Sequence, residues 1–248
     1  MQWRLIGLQT NNAFVNMATD EAISEAISVG HAKPTVRFYV WQPSAVSIGY
    51  FQSLTREVNI EKCRELGVDC VRRRTGGGAV YHDYHGEITY SVIAPEALFP
   101  RSISDSYTII CAWIVEGLAK LGIKAEFKLI NDVIVGGKKI SGNAQTRRGG
   151  ILQQHGTILY DVDVRKMFSV LRVSEMKISD KLIRSVEERV TRILDHANVS
   201  KNEAYQALVE GFMSGKDYGT EPLSDGEIAR AKELALTKYM TDEWNFRR

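Results

Sequence analysis

Cysteine is scarce and scattered in this chain of 248 residues. Its three, Cys63, Cys70 and Cys111, form neither a CxxC pair nor a Cys/His spacing, which excludes a zinc-finger framework. Such usage suits a reducing compartment. Long hydrophobic runs are missing too. No stretch reaches about 18 apolar residues, so no membrane span is expected. Met1-Gln2-Trp3-Arg4 opens without a long apolar run, so no signal peptide is expected and a cytoplasmic location is. Charge of one sign is not in excess: 32 Lys and Arg face 30 Asp and Glu, leaving +2. No broad basic field invites a nucleic-acid backbone, and the run Arg72-Arg73-Arg74 is too short to make one. No repeat, low-complexity segment or linker rich in Pro, Gly or Ser stands out.

What is present is an ordinary folding chain, 44% apolar and 25% charged. It is long enough to build a self-sufficient core. Short strands are expected over Arg4 to Gln9, Val36 to Trp41, Ala45 to Tyr50, Val68 to Arg73 and Glu87 to Ala94. Asn12 to Val29 reads as an amphipathic helix with Phe14, Ala18, Ala22, Ala26 and Val29 along its buried side. Asn59 to Leu66 reads as a short helix capped by Asn59 and stopped by Gly67. Ser104 to Leu121 is a longer helix, ended by Gly122. Further strands follow at Lys124 to Lys128, Val133 to Val135, Lys138 to Ser141 and Ile151 to Leu159. Ser200 with Glu203, and Ser224 with Glu227, are capping boxes that each open a helix. The order predicts a mixed α/β body, α+β in its sequence of elements, within one domain. A helical tail is expected over about 180–248.

Three patches carry chemistry. The first is Arg73-Arg74-Thr75-Gly76-Gly77-Gly78-Ala79-Val80-Tyr81-His82-Asp83. Consecutive glycines after a strand let the chain bend sharply and bring amides close to an anion. An arginine before the bend adds a fork of donors. The same glycines would equally serve a plain tight hairpin, with His82 packed and Asp83 a turn residue. The spacing is neither G-x-G-x-x-G nor a P-loop.

The second patch runs from Asn131 and Asp132 through Gly136-Gly137 to Lys138-Lys139-Ile140-Ser141-Gly142-Asn143-Ala144-Gln145. It reads as strand, Gly-Gly turn, strand. Lys138 and Lys139 then point to opposite faces, one solvated and the other free to enter a pocket, where it could neutralise an oxyanion. Asn131 and Asp132 could offer oxygen to Mg²⁺, though a surface hairpin with two exposed lysines fits the composition as well. The third patch is Gln154-His155-Gly156-Thr157, a polar interruption of an apolar strand. It marks either a close ligand approach or a hydrogen-bonded core histidine.

Taken together and in this order, the patches resemble the lipoate–protein ligase A family of the biotin/lipoate ligase superfamily. Arg37-Phe38-Tyr39, Ser47-Ile48-Gly49-Tyr50-Phe51-Gln52, Lys238-Tyr239 and Glu243-Trp244-Asn245 share the likeness, which covers nearly the whole chain. The resemblance implies the family's catalytic-domain fold, a mixed β-sheet packed by helices. It implies an enzyme that activates lipoate with ATP and Mg²⁺ to lipoyl-AMP, then passes the lipoyl group to a lysine of lipoyl-domain acceptors, E2 subunits or the glycine-cleavage H protein. It assigns Lys139, rather than Lys138, as the catalytic lysine. It assigns Arg73, Thr75, Gly76, Gly77, Gly78, Ala79, Val80, Tyr81, His82 and Asp83 to binding ATP and lipoyl-AMP. Lys139, Gly142, Ala144, His155, Gly156 and Thr157 complete that set, and Asn131 and Asp132 are the implied metal pair.

Full-length bacterial members carry an extra C-terminal domain of roughly a hundred residues. Its absence from these 248 residues implies the archaeal bipartite type, with a separate accessory subunit as partner. Two other functions compete. An octanoyltransferase moves an acyl group from acyl carrier protein without ATP, and Gly142-Asn143-Ala144-Gln145-Thr146-Arg147 and the tail resemble that branch. Its cysteine nucleophile is expected before the lysine strand, yet Ala125 to Val135 holds none. The other is a non-catalytic lipoate-binding protein. A biotin ligase has a different glycine pattern.

Overall fold

A computed structural model describes residues 1–172 and 188–248. Eleven strands are found among them: β1 (Trp3–Asn11), β2 (Thr35–Trp41), β3 (Ala45–Ile48), β4 (Asp69–Arg72), β5 (Val80–His82), β6 (Glu87–Pro95), β7 (Ala125–Lys128), β8 (Asp132–Val135), β9 (Lys138–Arg148), β10 (Ile151–Leu159) and β11 (Tyr218–Thr220). Eight of them form one mixed sheet in the order β11-β1-β2-β6-β10-β9-β8-β7. The pairs β11–β1 and β1–β2 are parallel and the others antiparallel. A second sheet, β4-β3-β5, stands beside it. This is the expected mixed α/β architecture.

Helices cover both faces of the large sheet, which is why β2 and β6 are buried almost throughout. On one face lie the helices Ile103–Lys120 and Lys201–Met213, packed over Phe38, Ile88, Tyr90, Val92 and Leu152. The two approach through glycine: a Cβ at Gly117 would meet Leu208 Cα at 2.9 Å. On the other face lies the helix Ala13–Ser28. Its Ile23 and Ile27 touch Ile6, Ile93 and Ile151 of the sheet, while Ala18 and Ala22 cluster with Ala231 and Leu234 of the helix Asp225–Leu234. Enclosed on two sides, it buries a wider surface than the single stripe expected, and Val29 at its end is 64% exposed.

Several local expectations hold. Asn59 caps the helix Ile60–Glu65, and both Ser–Glu capping boxes form. The helical tail needs correction. Its first residues, 180–187, lie outside the described residues, and the remainder is woven into the body. Strand β11 adds an edge to the large sheet. Arg4 makes a two-pronged pair with Glu227, at 2.8 and 2.6 Å. Asn245 accepts from the Arg72 amide, and the Arg72 guanidinium donates to the carbonyls of Trp244, Asn245, Gly49, Tyr50 and Gln52. The last turn of the chain is thereby fixed to the strand that feeds the glycine bend.

Candidate active site

The bend opens where β4 ends. Arg73 is buried, and all of its donors are used locally. Nε donates to Thr75 Oγ1, one terminal nitrogen to the carbonyl and hydroxyl oxygens of Ser47, and the other to the carbonyls of Gly76 and Gly78 at 2.7 Å. Burial pushes its pKa down to about 10, so it stays charged at neutral pH. The guanidinium therefore braces the bend from inside instead of presenting a fork to a ligand. Gly77, at φ +95°, makes the turn that this requires.

Arg73, Gly77, Gly78, Ala79, Val80, Tyr81 and His82 line one cavity of about 320 Å³. Thr75, Gly76 and Asp83 are not among its lining residues. Asp83 is a turn residue, accepting from the amides of His85, Gly86 and Asp163.

The lysine hairpin contributes to the lining of the same cavity. Gly136 and Gly137, at φ +56° and +81°, form the turn between β8 and β9. Lys138 is exposed, whereas Lys139 lines the cavity with Asn131, Gly142 and Ala144. Lys139 Nζ lies 2.6 Å from Asp132 Oδ1. Its backbone is clamped as well, donating to Arg189 O and accepting from Thr191 N, each at 2.8 Å. The β9–β10 register sets His155 opposite Ala144 and Thr157 opposite Gly142, so His155, Gly156 and Thr157 join the lining.

The implied metal pair fits poorly. Asn131 donates its side-chain amide to Asn143 O, and its carbonyl accepts from the Asn143 amide and side chain. Asp132 is already paired with the lysine. The described residues hold no group of three His, Cys, Asp or Glu able to bind a metal ion. The described residues therefore offer no all-protein cage for Mg²⁺, and the single carboxylate of Asp132 could hold the ion only together with oxygens of a bound ligand.

His155 is a networked histidine. Its Nε2 is 2.7 Å from Thr75 Oγ1 and its Nδ1 is 3.8 Å from Asp20 Oδ2. Burial lowers its pKa although Asp20 opposes the shift. Burial alone would raise the Asp20 carboxyl, but His155, Arg37 and Ser91 outweigh it and hold the group below its ordinary value. Arg37 Nη1 lies 2.8 Å from Asp20 Oδ1, with both side chains fully buried.

Sequence reasoning missed part of the lining. Ser47, Trp41 and Thr89 reach the cavity, and its apolar wall comes from Leu159, Val162, Val164, Met167, Leu171 and Val190. A serine inside the buried strand Ala45-Val46-Ser47-Ile48 is a signal that could have been used, because a buried hydroxyl needs a partner. The wall had no comparable signal, since it depends on how the chain after β10 folds back.

The three cysteines are absent from the lining. Cys63 is buried in the cluster around Val46 and Ile48, with Cys70 packed against it. Cys111 is buried in the main core, where burial pushes its thiol up to about 12.

The molecule thus has a mixed sheet with helices on both faces and a cavity that joins a glycine bend, a lysine and an apolar wall. The family described as Lipoyl protein ligase A/B catalytic domain matches residues 12–213, and the chain belongs to it. Octanoyltransferase LipM of Brevibacillus brevis is 38% identical over 276 residues, covering 100% of this chain and 99% of that protein. Further curated relatives at 33–39% identity carry the same name. Among solved structures, a bi-partite lipoate protein ligase of Thermoplasma acidophilum, studied with its E2 lipoyl domain, is 34% identical with a TM-score of 0.89, covering 99% of this chain and 96% of that one. A lipoate–protein ligase A bound with ATP is 32% identical with a TM-score of 0.86, covering 99% of each chain.

These relatives establish an enzyme of the lipoate and octanoyl transfer family, engaged in protein lipoylation, and displace the non-catalytic binder. They also correct the main functional expectation. The motifs suggested an ATP-dependent lipoate ligase, but the curated relatives that match from end to end are octanoyltransferases. The motifs misled because the chain that carries them is similar both to proteins named octanoyltransferases and to solved structures named lipoate–protein ligases, so they do not separate the two. They do not record how the acyl group arrives.

Proposed function

We propose that this enzyme moves an octanoyl group from the thioester of an acyl carrier protein to a lysine amine of a lipoyl-domain protein, without ATP. The names of the end-to-end relatives support this reading, and a similar structure studied with its E2 lipoyl domain supports the acceptor class. The structural observation that carries it is one cavity with two kinds of wall. The side chains of Val162, Val164, Met167, Leu171 and Val190 offer an apolar lining to a medium acyl chain. Lys139 and the bend Gly77-Gly78 supply the polar side.

The chemistry follows from that division. Attack on a thioester carbonyl develops negative charge on its oxygen. A lysine ammonium already fixed by Asp132 can stabilise that charge without reorganising. The apolar wall excludes water, which favours the amine over hydrolysis. Arg73 holds the bend in shape.

The test is to mix the protein with octanoyl-carrier protein and a lipoyl domain, and to weigh the domain. Octanoylation without ATP is the expected result. Modification that appears only with free fatty acid and ATP would overturn the reading.

A further inference from the structure

The cavity lacks a thiol, yet it holds a hydroxyl wired for nucleophilic attack. Ser47 Oγ lies 2.8 Å from His82 Nε2, and His82 Nδ1 lies 2.8 Å from Glu87 Oε1. Ser47 and His82 both line the cavity that Lys139 enters. The three side chains come from β3, β5 and the first residue of β6, and they are 1%, 4% and 0% exposed. Serine, histidine and carboxylate in that order are the components of a nucleophile, its base and the group that orients the base.

The surroundings fix the roles. With Nδ1–H donated to the Glu87 carboxylate, Nε2 keeps its lone pair toward the Ser47 hydroxyl. Trp41 stacks on the imidazole at 3.9 Å between ring centroids, and its indole N–H is tied to Thr89 Oγ1, which itself donates to Glu87. The ring is therefore held in its plane and along its axis. On the other side, Arg73 donates to Ser47 Oγ at 3.1 Å and places a positive charge where an alkoxide would form. A second relay, Thr75–His155–Asp20, is less apt. Its histidine–carboxylate distance is 3.8 Å, and Thr75 is not a lining residue.

We propose that Ser47 is the acyl-accepting nucleophile of this site, with His82 as its base and Glu87 as the positioning carboxylate, so that the acyl group passes through an ester on Ser47. This rests on the acyl-transfer reading above. In the first step Ser47 Oγ bonds to the thioester carbonyl carbon and its proton moves to His82 Nε2. The carbon–sulfur bond then breaks, and the departing thiolate takes the proton from His82. In the second step the acceptor lysine amine bonds to the ester carbon, the carbon–oxygen bond breaks, and the amine proton returns through His82 to Ser47. The products are a thiol and an amide, with no change of oxidation state.

The experiment has two readouts from the same protein. The first is intact mass after incubation with octanoyl-carrier protein and no acceptor. The second is the rate of octanoyl transfer when a lipoyl domain is added. Expected for the wild type is the gain of one octanoyl group, mapped by fragmentation to Ser47 and stable to neutral hydroxylamine, as an oxygen ester should be. Ser47→Ala should lose the adduct and transfer more slowly by up to about 10⁶-fold, the scale for removal of a triad's nucleophilic serine. Ser47→Cys should restore an adduct that neutral hydroxylamine now releases. Full transfer by the wild type with no adduct under any quench, or an unchanged rate in Ser47→Ala, would overturn the nucleophile and leave the acyl-transfer reading standing. An adduct on Ser47 with no transfer to any lipoyl domain would keep the nucleophile and refute the acceptor. Neither adduct nor transfer would refute both. Should Ser47→Ala fail to fold, mapping the wild-type adduct decides the question alone.

Discussion

Gly142 leaves the space that the Lys139 side chain occupies: a Cβ at Gly142 would stand 2.7 Å from both Cε and Nζ of the lysine. Both residues lie on β9 and line the cavity. Gly142→Ala should therefore push the ammonium away from Asp132 and out of register with the bend. Octanoyl transfer should slow about a hundredfold, the scale of a 1 Å misplacement. The melting temperature should hardly change, because Lys139 is only half-buried. An unchanged transfer rate would show that the position of the lysine does not matter.

Lys138 and Lys139 should differ sharply. Lys139→Ala removes the lysine's charge from the cavity and should slow transfer by about 10²–10³-fold. Lys138 is exposed, and Lys138→Ala should stay within about twofold. Steady-state rates on one lipoyl domain make the comparison. Equal losses would remove the special role of Lys139.

Asn245 joins the end of the chain to β4. Its Oδ1 accepts from the Arg72 amide, and its side-chain amide donates to the carbonyls of Tyr239 and Thr241. Asn245→Ala would leave the buried Arg72 N–H without a partner. Stability should fall by about 1–3 kcal/mol, read from the midpoint of urea unfolding.

His155 should make stability depend on pH. Burial holds its folded pKa below the ordinary 6.5. Between those two values the unfolded chain binds the proton and the folded chain does not. Its contribution is therefore fully present above pH 6.5 and declines as the pH falls below that value. Asp20, also lowered in the fold, adds a loss in the same direction below its ordinary 3.8. The urea midpoint should drop between about pH 7.5 and pH 5.5, and His155→Gln should flatten that drop. An equal slope in the variant would assign the effect elsewhere.

Met167 stands on the apolar wall. Met167→Trp adds bulk there and should shift preference from octanoyl toward shorter acyl donors. A discrimination of about 10–200-fold is the scale expected for small changes in a hydrophobic pocket. Competition between hexanoyl- and octanoyl-carrier protein measures it.

Much of this was legible along the chain because it is local. A helix cap needs only a serine and a glutamate three residues apart, and both boxes form where expected. A Gly-Gly turn between two β-rich runs predicts a hairpin, and β8 and β9 pair around one. The three family motifs, far apart in number, meet at one cavity. Between the two lysines, alternation showed only that they would point apart. The family motif selected Lys139, and the strand register delivers it to the cavity.

Other features were decided only when strands came together. Arg73 looked like a donor for a ligand, but a buried guanidinium must satisfy every N–H, and the nearest acceptors belong to its own bend and to Ser47. Strand β11, short and exposed at alternate residues, exists because the edge of β1 offers it a partner. Ser47, His82 and Glu87 belong to three strands, and no spacing within one segment announces their meeting. Local sequence determined the caps, the turns and which residues could be polar or apolar. Hydrogen-bond demand and strand register, which exist only in the packed molecule, decided which of those polar groups face the cavity and which are consumed in building it.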